Sequence, residues 1–370
     1  MASSRPPRSP FGRGGRRRHA SGPPPAFAAL DLGTNNCRLL VAAPDRTGFR
    51  VLSSFSRIVR LGEGMGSQNR LSDAAQDRAL EALRICSEIL GRKTLTNGRY
   101  IATQACRATE NGEAFIDRVK QQTGIALEII TPAEEARLAV MGCLNLIDPS
   151  VDAVLIVDVG GGSTELAWVD VRALPENFAE KPGHIKNLVG AWTSLPIGVV
   201  SLSERYPEPP SHREVWFRAM VDTVIKALEA DPVAEAFRPA FDAGRVHIVG
   251  SSGAITSLAG VHLDLPRYDR ARVDGLWMNA DECRTVTTTL YESSLSERMQ
   301  IPCIGEDRAD LVVAGAAILQ AVTEVWPSQR LRVADRGLRE GMLWEMIGTH
   351  NAKRAKRRRK QKSKPAGGKS

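Results

Sequence analysis

The chain has 370 residues, 42% hydrophobic and 25% charged, which suits a globular protein of two ordinary domains and excludes a collagenous or wholly disordered chain. Its net charge of +8 belongs to the ends: residues 1–25 carry six arginines and residues 351–370 ten lysines and arginines, without one acid, so the ends hold +16 and the body between them −8. Six scattered cysteines with no Cys-x-x-Cys pair, and scattered histidines with no His-Glu-x-x-His, exclude a disulfide framework and the common zinc sites.

Residues 1–25 are rich in Pro, Gly, Ser and Arg and poor in apolar side chains, so they read as a disordered basic tail. They hold no apolar stretch long enough for a signal peptide. The body opens on consecutive strands at 27–31, 37–43 and 49–59. A helix follows over 72–91, started by Ser72, with apolar positions at helical spacing through Leu90. A strand at 99–103, a helix capped by Asn111 and running to Gln122, and a strand at 126–131 come next. Pro132 then occupies the first turn of a helix that carries Glu134 and Glu135.

The pattern restarts at Val151, with strands at 151–158 and 165–170. Residues 171–215 read as less regular, broken by Pro-Ile-Gly and Pro-Glu-Pro-Pro. A helix near 213–229 and a strand–loop–helix unit over 246–260 follow. A strongly apolar helix over 308–326 reads as domain core, with a homodimer contact as the other reading. A short strand at 331–335 and a helix over 337–349 complete the body. Residues 350–370 read as a second disordered basic tail. The two tails suit electrostatic contact with a polyanion such as RNA. No run of 18 apolar residues suggests a membrane span, and a cytoplasmic location is the expectation. Strand-rich stretches followed by helices, twice over, give an α/β architecture of two related halves.

Two segments are copies of one device. Residues 27–40 and 154–168 each hold an apolar run, an Asp (Asp31, Asp158), a Gly turn with hydroxyl residues, and a second apolar run. Consecutive glycines let backbone N–H groups approach a phosphate without side-chain interference. Gly160, Gly161, Gly162 and Ser163 do this most plainly; Gly33, Thr34 and Asn35 repeat it. The pairing predicts two domains facing one another with a phosphorylated ligand between them. Asp31 and Asp158 end apolar strands, where a carboxylate needs a cation or donors. A magnesium ion shared with phosphate oxygens is the natural partner, and Glu165 lies close enough in sequence to join it.

The motifs resemble the exopolyphosphatase/guanosine pentaphosphate phosphohydrolase family, within the actin, sugar kinase and Hsp70 superfamily. The matching segments are Leu-Asp-Leu-Gly-Thr-Asn (30–35), Ala-Thr-Gln-Ala-Cys-Arg (102–107), Ala-Glu-Glu-Ala-Arg-Leu (133–138), Val-Asp-Val-Gly-Gly-Gly-Ser-Thr-Glu-Leu (157–166), Gly-Ser-Ser-Gly (250–253), Arg-Ala-Asp-Leu-Val-Val-Ala-Gly-Ala-Ala-Ile-Leu (308–319) and Gly-Leu-Arg-Glu-Gly (337–341). The resemblance implies two RNase H-like domains flanking a cleft, at 26–135 and 136–349, with the last helix free to pack back on the first domain. It implies Glu135 as the general base for water and Glu134 as a structural acid. Arg107 would contact phosphate oxygens, and Asp158, Glu165 and Asp31 would serve Mg²⁺ or Mn²⁺. Gly33, Thr34, Asn35, Gly160, Gly161, Gly162, Ser163 and Gly253 would bind phosphates. The chain departs from the family at Asn36, usually Ser, and at Ala254, often Thr; the small side chain of Ala254 suits close packing at a helix start. With a basic tail where long members carry a helical domain, the chain is similar to the short, two-domain members.

The implied reaction is hydrolysis of the terminal phosphoanhydride of inorganic polyphosphate, with the guanosine pentaphosphate pppGpp as the alternative substrate. Two other readings stay open at this level: a kinase on the same fold, and a non-catalytic sensor of polyphosphate or alarmone.

Overall fold

The computed structural model describes residues 24–46, 48–179 and 189–362. The tail residues 1–23 and 363–370 lie outside them. Among the described residues the strands form two sheets. The first has the order β3-β2-β1-β4-β5, from β1 (Phe27–Leu32), β2 (Asn36–Asp45), β3 (Gly48–Ile58), β4 (Asn97–Ala102) and β5 (Glu128–Ile129). The second has the order β10-β11-β9-β6-β7-β8, from β6 (Ala153–Val159), β7 (Thr164–Asp170), β8 (Ala191–Leu195), β9 (Val246–Ser251), β10 (Trp277–Asn279) and β11 (Arg330–Ala334). In each sheet an antiparallel three-strand meander is extended by parallel strands beside its first member. The strand order 3-2-1-4-5 therefore occurs twice, the second time with one further strand. This is the duplicated α/β plan of two halves flanking a cleft.

One helix joins the halves. Pro132–Cys143 starts at Thr131, whose side chain accepts from Glu134 N at 3.2 Å. Leu138 and Ala139 pack on the first sheet with Phe27, Leu40 and Ile101. Ala136, Val140 and Cys143 pack on the second with Val154, Ile156 and Val169. The i, i+4, i+7 spacing of the second set puts it on one face and leaves the first set on another. The expected boundary at 135/136 thus falls inside a helix that belongs to both halves. The final helix, Leu338–Lys362, lies across the first sheet through Met342, Leu343 and Ile347. Its crossing with Pro132–Cys143 is close enough that a Cβ on Gly142 would stand 2.0 Å from Gly337 O, and one on Gly341 2.1 Å from Leu138 O.

Several sequence expectations need correction. The last helix does not stop at 349 but runs on to Lys362, so residues 350–362 are helical rather than a disordered tail. Lys, Arg, Ala and Gln are good helix formers, and a helix already anchored needs no new nucleus. Residues 171–215 contain β8 and the helix Val199–Arg205, each too short to show a period. Asn111 precedes its helix but does not cap it; its side chain instead bonds Leu71 N at 2.8 Å and Leu71 O at 2.9 Å. The apolar helix, Val312–Val325, is core of the second half, buried on Phe217, Leu258 and Leu290. Six free cysteines are present, five of them buried. No helix among the described residues is long and apolar enough to cross a membrane.

Candidate active site

The two glycine loops meet. A Cβ built on Gly161 would stand 3.0 Å from Thr34 Cβ and 3.1 Å from Asn35 N; one on Gly162 would stand 2.2 Å from Gln104 Oε1. At Gly161 a side chain would make its neighbours give by a few tenths of an ångström, whereas at Gly162 the nearest atom is the movable end of Gln104. Gly33, by contrast, has only ordinary contacts, 3.6 Å from Asn36 O. The first loop is braced from behind: Thr34 O accepts from Gly62 N at 2.9 Å, and Asn35 O from Val59 N at 2.8 Å and Arg60 N at 3.1 Å. In the second loop the carbonyls of Gly160 and Gly161 accept from Val199 N and Val200 N at 3.0 and 2.8 Å, which turns the loop's oxygens toward its own domain.

Between the loops lies a cavity of about 130 Å³. Pockets that swallow a whole drug-sized ligand start at roughly 300 Å³. This one has room for the end of a phosphate chain, with the rest of a substrate outside. Its wall includes Gly33, Thr34, Asn35, Gly160, Gly161, Ser163 and Gly253, with the carboxylates of Asp31, Glu135, Asp158 and Glu165. Gly162 sits behind the wall, against Gln104 and Thr34. Arg107 is also absent from the wall. Its Nη1 donates to Glu135 Oε2 at 3.1 Å and to Ile130 O at 2.8 Å, so the guanidinium stands behind the glutamate rather than over the cavity.

Sheet register sets the acids. Asp158 lies opposite Glu165 across β6 and β7, and opposite Ser251 across β6 and β9. Ser251 Oγ donates to Asp158 Oδ1 at 2.6 Å, and Ser194 Oγ to Glu165 Oε1 at 2.9 Å. Burial, then the neighbouring Asp158 carboxylate, raises Glu165 to about 7. Burial raises Asp31 to about 6 against the pull of Arg38, and raises Asp158 against Ser251 and Arg38. Glu135 is pushed well above its ordinary value by burial and by Glu165, although Arg107 opposes this. Glu134, one residue away, behaves oppositely. Burial disfavours its charge too, but Arg137 at 2.7 Å and Arg99 at 2.9 Å hold its carboxyl below the usual range. It is a structural ion pair.

The donor set fits a magnesium-type cation only with phosphate present. Asp31 Oδ1 and Asn35 Oδ1 are buried without a hydrogen-bond partner, as expected of oxygens aimed at a cation or its waters. Yet no three acidic, histidine or cysteine side chains among the described residues converge closely enough to hold a metal by themselves. Mg²⁺ habitually takes one or two carboxylates and completes its shell with water and phosphate oxygens, which suits this geometry.

Four arginines in the wall went unread in the sequence. Arg38, Arg308, Arg336 and Arg339 line the same cavity; Arg38 and Arg339 stand near enough to Asp31 to pull its carboxyl down, while Arg336 is paired with Asp274. Arg38 lies opposite Asp31 in the β1–β2 register. Arg38 Nη2 and Arg308 Cζ would stand 3.7 and 3.9 Å from a Cβ on Gly253. That glycine opens the helix Gly253–His262 just after Ser252, which holds φ 119° in the region that favours glycine. The signals existed: Arg38 is seven residues past Asp31 on the return strand, and Arg308 and Arg339 sit inside motifs used only as landmarks. Ala254 packs at the helix start as its size suggests; a Cβ on Gly315 would come within 2.2 Å of its Cβ.

The model of the Ppx/GppA phosphatase family matches residues 40–350. A curated relative from Photobacterium profundum, a guanosine-5'-triphosphate,3'-diphosphate pyrophosphatase, is 29% identical over 323 residues; the match covers 87% of this chain but only 59% of that protein. Among solved structures, the Ppx/GppA family member of Aquifex aeolicus is 27% identical with a TM-score of 0.69, covering 89% of this chain and 99% of its own. An exopolyphosphatase from Cytophaga hutchinsonii, 24% identical with a TM-score of 0.75, covers 87% of this chain and 97% of its own and shares the fold.

Proposed function

From a chain that belongs to the Ppx/GppA phosphatase family, we propose hydrolysis of the terminal phosphoanhydride of inorganic polyphosphate, with release of orthophosphate. The observation that carries this is the meeting of the two glycine loops with the Glu135 carboxylate in the wall between them. Backbone N–H groups of the facing loops hold the terminal phosphate; the hydroxyls of Thr34, which donates to Gln104 Oε1 at 3.1 Å, and of Ser163, bonded to Glu165, join them by turning from those partners. Arg38, Arg308 and Arg339, which line the same cavity, take the charge of the following phosphates.

Glu135 accepts a proton from a water lined up with the terminal phosphorus. The water oxygen bonds to phosphorus as the bridging oxygen leaves with the shortened chain. Arg107 fixes the Glu135 carboxylate for this task from behind, as a positioning residue. A divalent cation, Mg²⁺ or Mn²⁺, held through Asp158 and Glu165 with Asp31 beside them, would neutralise phosphate oxygens. Such chemistry is chiefly positioning and electrostatic stabilisation.

A second substrate is favoured by the name of the curated relative: the 5'-terminal phosphate of pppGpp would enter the same cavity, leaving the nucleoside outside it. Phosphate release from tripolyphosphate, long polyphosphate and pppGpp, each with and without Mg²⁺, tests the proposal. Mg²⁺-dependent release is expected, and the ratio of kcat/KM values ranks the substrates. No release from any of the three contradicts the hydrolase reading.

A further inference from the structure

The basic part of the final helix lies at one pole of the first half. The final helix begins in the cavity wall at Leu338 and Arg339 and runs across the first sheet. Its His350 ring touches that of Phe27, centroids 5.5 Å apart. Phe27 is the first residue of β1, at the end of that strand opposite the Gly33 loop. Lys353, Arg354, Lys356 and Arg357 are exposed there, with no ion pair or hydrogen bond among the described residues. After Glu345 the chain holds no acid at all.

We propose that this pole is a docking site for the phosphodiester backbone of nucleic acid, separate from the cleft and independent of the reaction assigned to it. Three observations choose this occupant. At 3.6 residues per turn, residues 353, 354, 356 and 357 share one arc of about 160°, and the opposite arc holds only Asn351, Ala352 and Ala355 rather than large apolar side chains, so the helix is not built to lie in a membrane interface. Residues 351–370 contain no aromatic side chain to stack on bases, so contact goes to phosphates and is indifferent to sequence. Lys353 lies 14 residues beyond Arg339, about 21 Å along the helix, so it does not extend the cleft's own set of arginines. The body's charge of −8 repels polyanions elsewhere and concentrates binding at the pole.

The test uses the full chain and a fluorescent mixed-sequence single-stranded RNA of 20 nucleotides, followed by anisotropy over a series of KCl concentrations. Binding that weakens steeply with salt is expected, because log K falls by about 0.7 per decade of salt for each phosphate neutralised on a single strand. The variant Lys353→Gln/Arg354→Gln/Lys356→Gln/Arg357→Gln keeps good helix formers at all four positions. It should flatten the slope by roughly 3 and raise Kd by about 10- to 100-fold at low salt. Exchanging Lys for Arg and Arg for Lys at the same four positions should retain both affinity and slope. Circular dichroism and Tm confirm that each variant folds. Unchanged binding by the glutamine variant overturns the proposal. So does a native chain that binds long polyphosphate but not RNA of equal charge, since the pole would then serve substrate capture.

Discussion

The two halves share a hairpin plan but not its chemistry. Each places an aspartate near the end of its first strand and a residue seven positions later directly across the ladder. In the first half the pair is Asp31 with Arg38; in the second it is Asp158 with Glu165. One half brings its own counter-charge. The other sets two buried carboxylates side by side, offset only in part by Ser251 and Arg38 at Asp158 and by Ser163, Ser194 and Arg107 at Glu165. The glycines differ likewise. Gly161 and Gly162 are held within van der Waals limits by the opposing half, while Gly33 has room. The same hairpin plan thus carries an Asp–Arg pair in one half and an Asp–Glu pair in the other, which fits the proposed roles in holding phosphate and cation.

Erasing that difference gives the largest expected effect. Glu165→Arg would give the second hairpin the charge pattern of the first and should lower Mg²⁺-dependent phosphate release by about 10³-fold or more. The milder Glu165→Gln, which keeps the size of the side chain, should lose roughly 10²-fold and require more Mg²⁺ for half-maximal rate. Release from Glu165→Gln at the native rate and native Mg²⁺ midpoint would remove the cation role from this half.

Arg38→Gln acts on the other half. It should raise KM by about tenfold with a smaller change in kcat, as loss of binding shared by ground and transition states does. It also removes the cation that restrains Asp31, whose carboxyl already stands near 6, so the acid limb of the pH–rate profile should move to higher pH. An unmoved limb would dissociate Asp31 from turnover.

Gly161→Ala forces a methyl against Thr34 and Asn35 and should cost about tenfold in kcat/KM through a spread cleft. Gly33→Ala, at 3.6 Å from its nearest neighbour, should leave the rate within about twofold. Equal losses from the two would contradict the asymmetry.

The smallest effect is on stability. Glu165 rises from 4.5 in the unfolded chain to about 7 in the fold. Below the unfolded value both states hold the proton and nothing is lost; as pH rises from there to about 7 the unfolded chain releases the proton while the fold still holds it, so stability falls, levelling off above about 7. Glu165→Gln should therefore be neutral at pH 4 and stabilise the metal-free protein by about 2 kcal/mol at pH 8, read from denaturant midpoints. Stabilisation at pH 4 instead would reverse the sign of the argument.

Much of this was legible in the sequence because local spacing carried it. Paired Asp–Gly turns gave the duplication, Ser72 and Pro132 marked helix starts, and the family resemblance implied Glu134 as a structural acid. Residues that act across the cleft were not legible. Nothing near Arg38 or Arg308 in sequence says that both end up beside Gly253, because that meeting depends on two separate sheets closing on one another. Arg107 was assigned to phosphate from its motif, yet the route of its side chain toward Ile130 O and Glu135 depends on where β5 and the Pro132–Cys143 helix fall. Composition misread residues 350–362 as unfolded because it weighs apolar content and ignores that the helix arrives already formed.

The central claim is that Glu135, buried between the two loops, removes the proton from the attacking water. Single-turnover phosphate release by Glu135→Gln, with saturating Mg²⁺ and enzyme in excess over tripolyphosphate, addresses it without interference from product release. The account predicts a rate lowered by at least about 10²-fold with tripolyphosphate still bound at near-native affinity. A rate within a few-fold of native, with binding unchanged, would place the base elsewhere and contradict it.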